Sequence, residues 1–188
     1  MGQVIHFEKR AVASLQERLG AAVVANEELI AFARGHSGAV ASINTAALEA
    51  IESPCIESLL DVVTRRWPDV LGIDVAAIAL RVGKLGFRAD SSGIERVEAA
   101  FVDRMLAGLQ SVQVRSVASG HPLFGASSMG SVRAEALIRI DGPPPLPCGL
   151  IALGQRTEIA VENSHGSELL VFLGRVVAAT IRRCVATA

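Results

Sequence analysis

Between Ile5 and Arg34 apolar residues return at alternating spacings of three and four, with no Pro and only Gly20 to weaken a helix. Val12, Leu19, Asn26 and Ala33 form one column of this pattern, and Leu15, Ala22 and Leu29 form the other. That is a heptad register, and it predicts a long helix whose seam suits a second copy of the chain. Asn26 falls on the seam, where a paired Asn fixes register and favours a parallel dimer at some cost in stability. The alternative is an amphipathic helix lying on its own domain, with Asn26 at the polar edge. A seam this rich in Ala is a weak zipper by itself.

The periodicity then changes. Gly35 to Gly38 reads as a break, followed by a second helix through Ile43, Ala47, Leu48 and Ile51. Ser53 and Pro54 read as the N-cap and first position of a third helix, which runs to Trp67 and is ended by Pro68. Asp74 to Val82 reads as a strand, with Ala76, Ile78, Leu80 and Val82 on one face and Val75, Ala77, Ala79 and Arg81 on the other. The second of these faces is lined by small side chains and ends in a cation. A turn over Gly83 to Gly86 leads to a strand around Phe87. Ser92 with Glu95 matches a capping box ahead of a helical stripe of Ile94, Val97, Phe101 and Met105.

Two further strands are expected at 112–117 and 131–140, on either side of the loop SGHPLFGASSMG. In the second, Val132, Ala134, Ala136, Ile138 and Ile140 face one way and Arg133, Glu135 and Arg139 the other, as in a half-buried sheet. CGLIALGQRTE, Cys148 to Glu158, carries two glycines but neither phosphate-loop nor dinucleotide spacing. Leu150 and Ala152 alternate with Ile151 and Leu153, apolar on both sides, as in a central strand covered on both faces. Gly154 marks a bend or a close backbone contact at its end. A last helix is expected over 167–184. Strands without a helix between each pair exclude a doubly wound parallel sheet and predict an α+β domain with an antiparallel sheet flanked by helices. The expected organisation is a helical, coiled-coil-like segment over 1–52 and a globular domain over 53–188.

Composition narrows the function classes. The chain has 188 residues, 51% hydrophobic and 20% charged, enough for a sizeable core. Eighteen basic against nineteen acidic residues give a net charge of -1, which supplies no global attraction to nucleic acid or to anionic lipid. The amino terminus has no apolar signal core, and the most apolar late run, ELLVFLGRVVAATI, is interrupted by Arg175 and is too short for a membrane span. A soluble cytoplasmic protein is expected, with no membrane or nucleic-acid partner. Cys55, Cys148 and Cys184 are odd in number and widely spaced, which fits buried thiols rather than a disulfide framework.

Two stretches resemble the bacterial domain-of-unknown-function family 484. VIHFEKRAVASLQERL, Val4 to Leu19, looks like its amino-terminal signature, and GLIALGQRTEIAVENSHGSELLVFLGRVVAATIRR, Gly149 to Arg183, is similar to its GxLALGS strand, acidic loop and terminal helix. HPLFG, His121 to Gly125, and RAEALIRI, Arg133 to Ile140, sit where the family has an LFG element and a following strand. The chain departs from that pattern at Gln155 to Glu158, where the family has Ser and then Asp, at Ala160 and Val161, and at Ala134. The resemblance implies a GAF-like domain, a scaffold shared by many small-molecule sensors, behind a helical dimerisation segment. A homodimer through Val12, Leu15, Leu19, Ala22, Asn26 and Leu29 is the expected assembly.

The four histidines are scattered, with no ligand spacing for a metal beside any of them, and the sequence names no cofactor. In GAF-like sensors the ligand lies between one sheet face and the loops and helix over it. Arg81, His121, Arg133 and Glu135 are then the candidate polar anchors, with Phe87 and Phe124 as an apolar wall. The bland alternative is a solvated sheet face with self-compensating charges. The expected function is a non-catalytic sensor or interaction module. Its alternatives are an enzyme of thiol-redox or phosphodiesterase type, and a degenerate domain with its pocket filled by side chains.

Overall fold

A computed structural model describes Gly20, Val23 and residues 37–142, 146–157 and 164–186. The seam residues Val12, Leu15, Leu19, Ala22, Asn26 and Leu29 lie outside the described residues. The chain divides into two units, Met1–Ala41 and Ser42–Ala188. In the first unit Gly20, Val23 and residues 37–41 are helical. Gly38, at the end of the expected break, is helical, while Gly35 and His36 lie outside the described residues; a glycine inside a helix costs only about 1 kcal/mol.

The second unit contains, in chain order, α1 (42–52), α2 (Ile56–Asp61), a π-helical turn (Val62–Arg66), α3 (Trp67–Leu71), β1 (Val75–Val82), β2 (Leu85–Asp90) and β3 (Gly93–Glu98). Then follow α4 (Ala99–Leu106), β4 (Val112–Ser116), a 3-10 turn (Pro122–Phe124), α5 (Gly125–Met129), β5 (Ala134–Ile140), β6 (Cys148–Gln155) and α6 (Ser164–Ala186). Among the described residues the strands form one sheet of order β3-β2-β1-β6-β5-β4, with every neighbouring pair antiparallel. β6 lies between β1 and β5, the central place its two apolar faces demand.

Alternation along the strands divides the core in two. Ala76, Ile78 and Leu80 of β1, Ile138 and Ile140 of β5, and Ile151 and Leu153 of β6 pack with α1, α2, α3 and α6. Ile43, Ala46, Ala47 and Ala50 carry α1 into this cluster, Leu59, Val63 and Trp67 carry the next helices, and Leu173, Val177 and Ile181 carry α6. Trp67 is fully buried, and its Nε1 donates to the Ala46 carbonyl at 3.1 Å. The other face carries Ala77, Ala79, Leu137, Leu150 and Ala152, packed with α4 and the 3-10 turn.

Several local expectations are corrected. Residues 93–98 form β3, not the start of a helix: Asp90 accepts from both the backbone N–H and the hydroxyl of Ser92, which closes a hairpin turn instead of a helix cap. The helix begins only at Ala99. Ser53 does not cap α2. Cys55 holds that position without a side-chain bond, while the Ser53 hydroxyl donates back to the Glu49 carbonyl at 3.1 Å. Pro68 does not end its helix, because the wider turn over Val62–Arg66 precedes it and α3 continues to Leu71, where Gly72 at φ 65° stops it. β5 is not half-buried: Leu137 and Glu135 on its second face are both buried. Val132, before the strand begins, joins the cluster of Leu137 rather than that of Ile138. Of the three thiols, Cys184 is buried, Cys148 half-buried and Cys55 exposed at the start of α2.

Candidate functional site

Small residues decide what can cover the second face. Ala77 and Ala79 of β1 and Ala152 of β6 leave depth above the sheet, and Leu123 and Phe124 descend into it from the 3-10 turn. Gly154 makes room for this: a Cβ there would stand 2.9 Å from Cζ of Phe124 and 2.8 Å from a Val75 methyl. Where a bend or a close backbone contact is expected at the end of β6, the neighbours are side chains, with an aromatic ring laid on a bare glycine. Gly125, which follows Phe124, has φ 74°, and a Cβ there would meet the Arg88 guanidinium at 2.5 Å.

The loop between β4 and β5 is held down by charged side chains acting on backbone groups. Arg88, on the Ala79 side of β2, donates from Nε to the Leu123 carbonyl at 2.9 Å and also pairs with Asp90 and Glu95. Arg133 donates from one nitrogen to the carbonyls of Ala118, Gly130 and Val132 at 3.2, 2.9 and 2.9 Å. Glu135 is 2% exposed. One of its oxygens takes Nε and Nη2 of Arg115 at 2.8 and 2.7 Å, and the other takes the His121 backbone N–H at 2.6 Å. A carboxylate satisfied on both oxygens is tolerable in an apolar setting. His121 in turn accepts the Leu123 N–H on Nδ1 at 3.2 Å, which caps the 3-10 turn. Burial holds the His121 pKa below its ordinary value; Arg115 adds to this and Glu135 opposes it.

Beside this cluster, between α4 and the β4–β5 pair, lies a cavity of about 460 Å³. Phe101 and Met105, one helical turn apart on α4, form one wall with Leu109, and Leu137 of β5 lies in the lining with Pro122. Arg104, Gln113, Arg115 and His121 supply its polar groups. Gln113 and Arg115 pair with Leu137 and Glu135 across β4 and β5, so they share the sheet face that lines the cavity. A second space of about 670 Å³ runs along α6 beside Arg139, Asp141, Arg175 and Arg182. Its rim is dominated by charged side chains and lacks the aromatic wall of the first.

The structure brings His121 and Glu135 together and places His121 in the cavity lining. Phe124 is buried next to them, beneath the turn. Arg133 staples the loop from its far end. Arg81 pairs with Asp103 of α4 at 2.8 Å. Phe87 pairs with Leu80 of β1 and so lies on the helix-packed face, away from the cavity. Sequence reasoning missed Arg88, Arg104, Gln113 and Arg115. Two of them had a readable sign, since Gln113 and Arg115 alternate with Val112 and Val114 along the expected strand. The three cysteines sit on separate elements, at the starts of α2 and β6 and near the end of α6. Among the described residues no group of three His, Cys, Asp or Glu side chains converges to hold a metal, and no helix is long and apolar enough to cross a membrane.

No family model and no curated protein matches the chain. Solved structures do. The chain is similar to a far-red-absorbing dark-state protein with bound biliverdin IXα, at TM-score 0.52 and 15% identity over 77% of this chain and 99% of that one. It is similar to the GAF domain of a protein described as a sensor histidine kinase from Pseudomonas syringae pv. tomato, at TM-score 0.50 and 15% identity over 85% and 95%. A bacteriophytochrome from R. palustris aligns at TM-score 0.51 and 12% identity over 76% of this chain and 37% of its own. The fold is therefore GAF-like: α+β, with an antiparallel sheet flanked by helices.

Proposed function

We propose that the chain is a non-catalytic, cytoplasmic GAF-like sensor module that binds a small molecule in the cavity between α4 and β4–β5 and works as a homodimer. The cavity carries this reading. Its volume, its apolar walls and its few convergent polar groups are those of small-molecule sites in general. The side chains around it hold the loop rather than forming a nucleophile with a base, which favours binding over turnover. The likeness to a biliverdin-bound structure adds support for a ligand on this scaffold. For the dimer, the support is the heptad pattern of the sequence; separately, Leu48 and Ile51 of α1 are 58% and 46% exposed and offer apolar surface to a second copy. Residues 1–52 would then supply the dimerisation segment ahead of the sensor domain.

Native mass spectrometry of the purified full chain is expected to show dimer mass and a co-purified small molecule released on denaturation. Replacing Leu15 and Leu29 together by Glu should convert the dimer to monomer with the ligand retained. A monomeric wild-type chain would remove the assembly claim, and a cavity that takes no small molecule from a metabolite extract would remove the sensor claim.

A further inference from the structure

We propose, building on the ligand-sensor reading, that the cavity takes a small organic anion, its apolar body against Phe101, Met105 and Leu137 and its oxyanion group against Arg104 and Arg115. The lining contains two guanidinium groups and no carboxylate. The nearest acids are already engaged: Asp103 pairs with Arg81, and both oxygens of Glu135 are taken by Arg115 and the His121 N–H. Arg104, Arg115 and Glu135 together leave one positive charge in excess at the cavity. A cationic ligand would meet that charge. A neutral one could offer an acceptor but would leave the excess charge uncompensated.

The geometry also pre-orients the site for an oxyanion. Arg115 directs Nε and Nη2 onto one oxygen of a fully buried carboxylate, which fixes the plane of its fork. Among the described residues, Nη1 of Arg115 and the guanidinium of Arg104 have no acidic partner, so these are the donors left for a ligand. Holding the fork in place before binding lowers the ordering cost that a free arginine would impose. Gln113 stands two residues before Arg115 on the same face of β4 and adds an amide that can both donate and accept. His121 adds a neutral donor, because its Nδ1 already accepts from Leu123 and its proton therefore sits on Nε2. Carboxylate and phosphate share this chemistry.

Calorimetric titration of the full chain with four matched probes tests it: 2-naphthoate, 2-naphthyl phosphate, 2-naphthol and 2-naphthylmethylammonium. The two anions are expected to bind on the order of tenfold tighter than 2-naphthol, with the cation weakest, and their own ratio tells carboxylate from phosphate. Arg104→Gln, an exposed position that leaves the fold intact, should weaken the anions on the order of tenfold and leave 2-naphthol unchanged; Gln113→Leu should act in the same direction, less strongly. Met105→Trp should narrow the cavity and weaken binding of every probe. If 2-naphthol binds as tightly as the anions, or Arg104→Gln leaves them unaffected, the anion assignment is overturned, while weakened binding in Met105→Trp keeps the sensor reading standing. No binding by any probe overturns the anion assignment, and probe binding that Met105→Trp leaves wholly unchanged lies outside the cavity and overturns both readings of it.

Discussion

The two faces of the sheet arise from one alternation and end in opposite conditions. On the helix-packed face the inward positions are Ile78, Leu80, Ile138, Ile140, Ile151 and Leu153, and helices α1, α2, α3 and α6 close over them. On the cavity face β1 and β6 present Ala77, Ala79 and Ala152 beside Leu150, and β5 presents Leu137, beneath an eight-residue helix and a loop. Large branched side chains let whole helices approach and fill the space to the density of an organic crystal. Small ones leave depth that α4 and a 3-10 turn only partly occupy. Leu123 and Phe124 pack into that depth over β1 and β6, with Arg88 bonded to the Leu123 carbonyl, and the cavity opens farther along the same face, over Leu137 of β5 and Gln113 and Arg115 of β4. One face is thus closed by whole helices, while the other keeps, between α4 and the β4–β5 pair, a space that can hold something else.

Truncation of Trp67 should break the packed face. Trp67 is fully buried and bonded to the Ala46 carbonyl, so Trp67→Ala is expected to cost about 3–5 kcal/mol. Met105→Ala, at the half-buried wall of the cavity, should cost about 1 kcal/mol, because the space it opens joins space that already exists. Equilibrium unfolding in guanidinium chloride measures both. Equal costs would remove the distinction between a filled face and an open one.

Glu135 tests what keeps the open face from collapsing. Glu135→Gln removes the charge that engages Arg115 and should destabilise by about 1–3 kcal/mol, toward the lower end because the Arg115 side chain is 44% exposed and water can take over part of its bonding. Adding Arg115→Gln should cost less in this background than in the wild type, the sign of coupling between the two. Additive costs would mean that each acts through the loop alone.

How much of this was legible follows from the range of the interactions. β1 and β6 were readable because their partners are neighbours in a sheet whose two faces are written into consecutive residues. β3 was not, because Ser92 and Glu95 carry the same side chains as a helix start, and only the Asp90 bonds close the hairpin. Pro68 misled for a related reason: a widened turn upstream accommodates its ring. At the site, His121 on the loop and Glu135 on the polar strand face are expected as ligand anchors, with a solvated face as the alternative. Glu135 is instead buried, and its partner Arg115 lies twenty residues away. Arg88 was invisible, since its bond to the loop ends on a backbone carbonyl that any residue would have supplied. Charged side chains that grip main-chain atoms leave no complementary residue type to look for.

The smallest expected effect is also specific to the cavity face. His121 faces Glu135 and Arg115, and burial, the main influence, keeps its folded pKa below the ordinary 6.5 despite the pull of Glu135. Between the folded pKa and 6.5 the unfolded chain holds more protons than the folded one, so stability rises with pH there. The contribution is complete above 6.5 and is lost as pH falls through the folded value, when a proton on Nδ1 would displace the Leu123 N–H. Asp90, whose pKa lies below 3.8 because its bonds to Ser92 and the Arg88 charge outweigh the upward effect of burial, titrates outside this window. His6, His36 and His165 are common to the wild type and a His121→Asn variant and cancel in the difference between them. Asn keeps an acceptor close to the Leu123 N–H without titrating. Unfolding free energies of the two proteins, compared across pH, should converge as pH drops below 6.5. Parallel curves would mean that protonating His121 costs the cavity face nothing, and that the loop is held by Glu135, Arg88 and Arg133 alone.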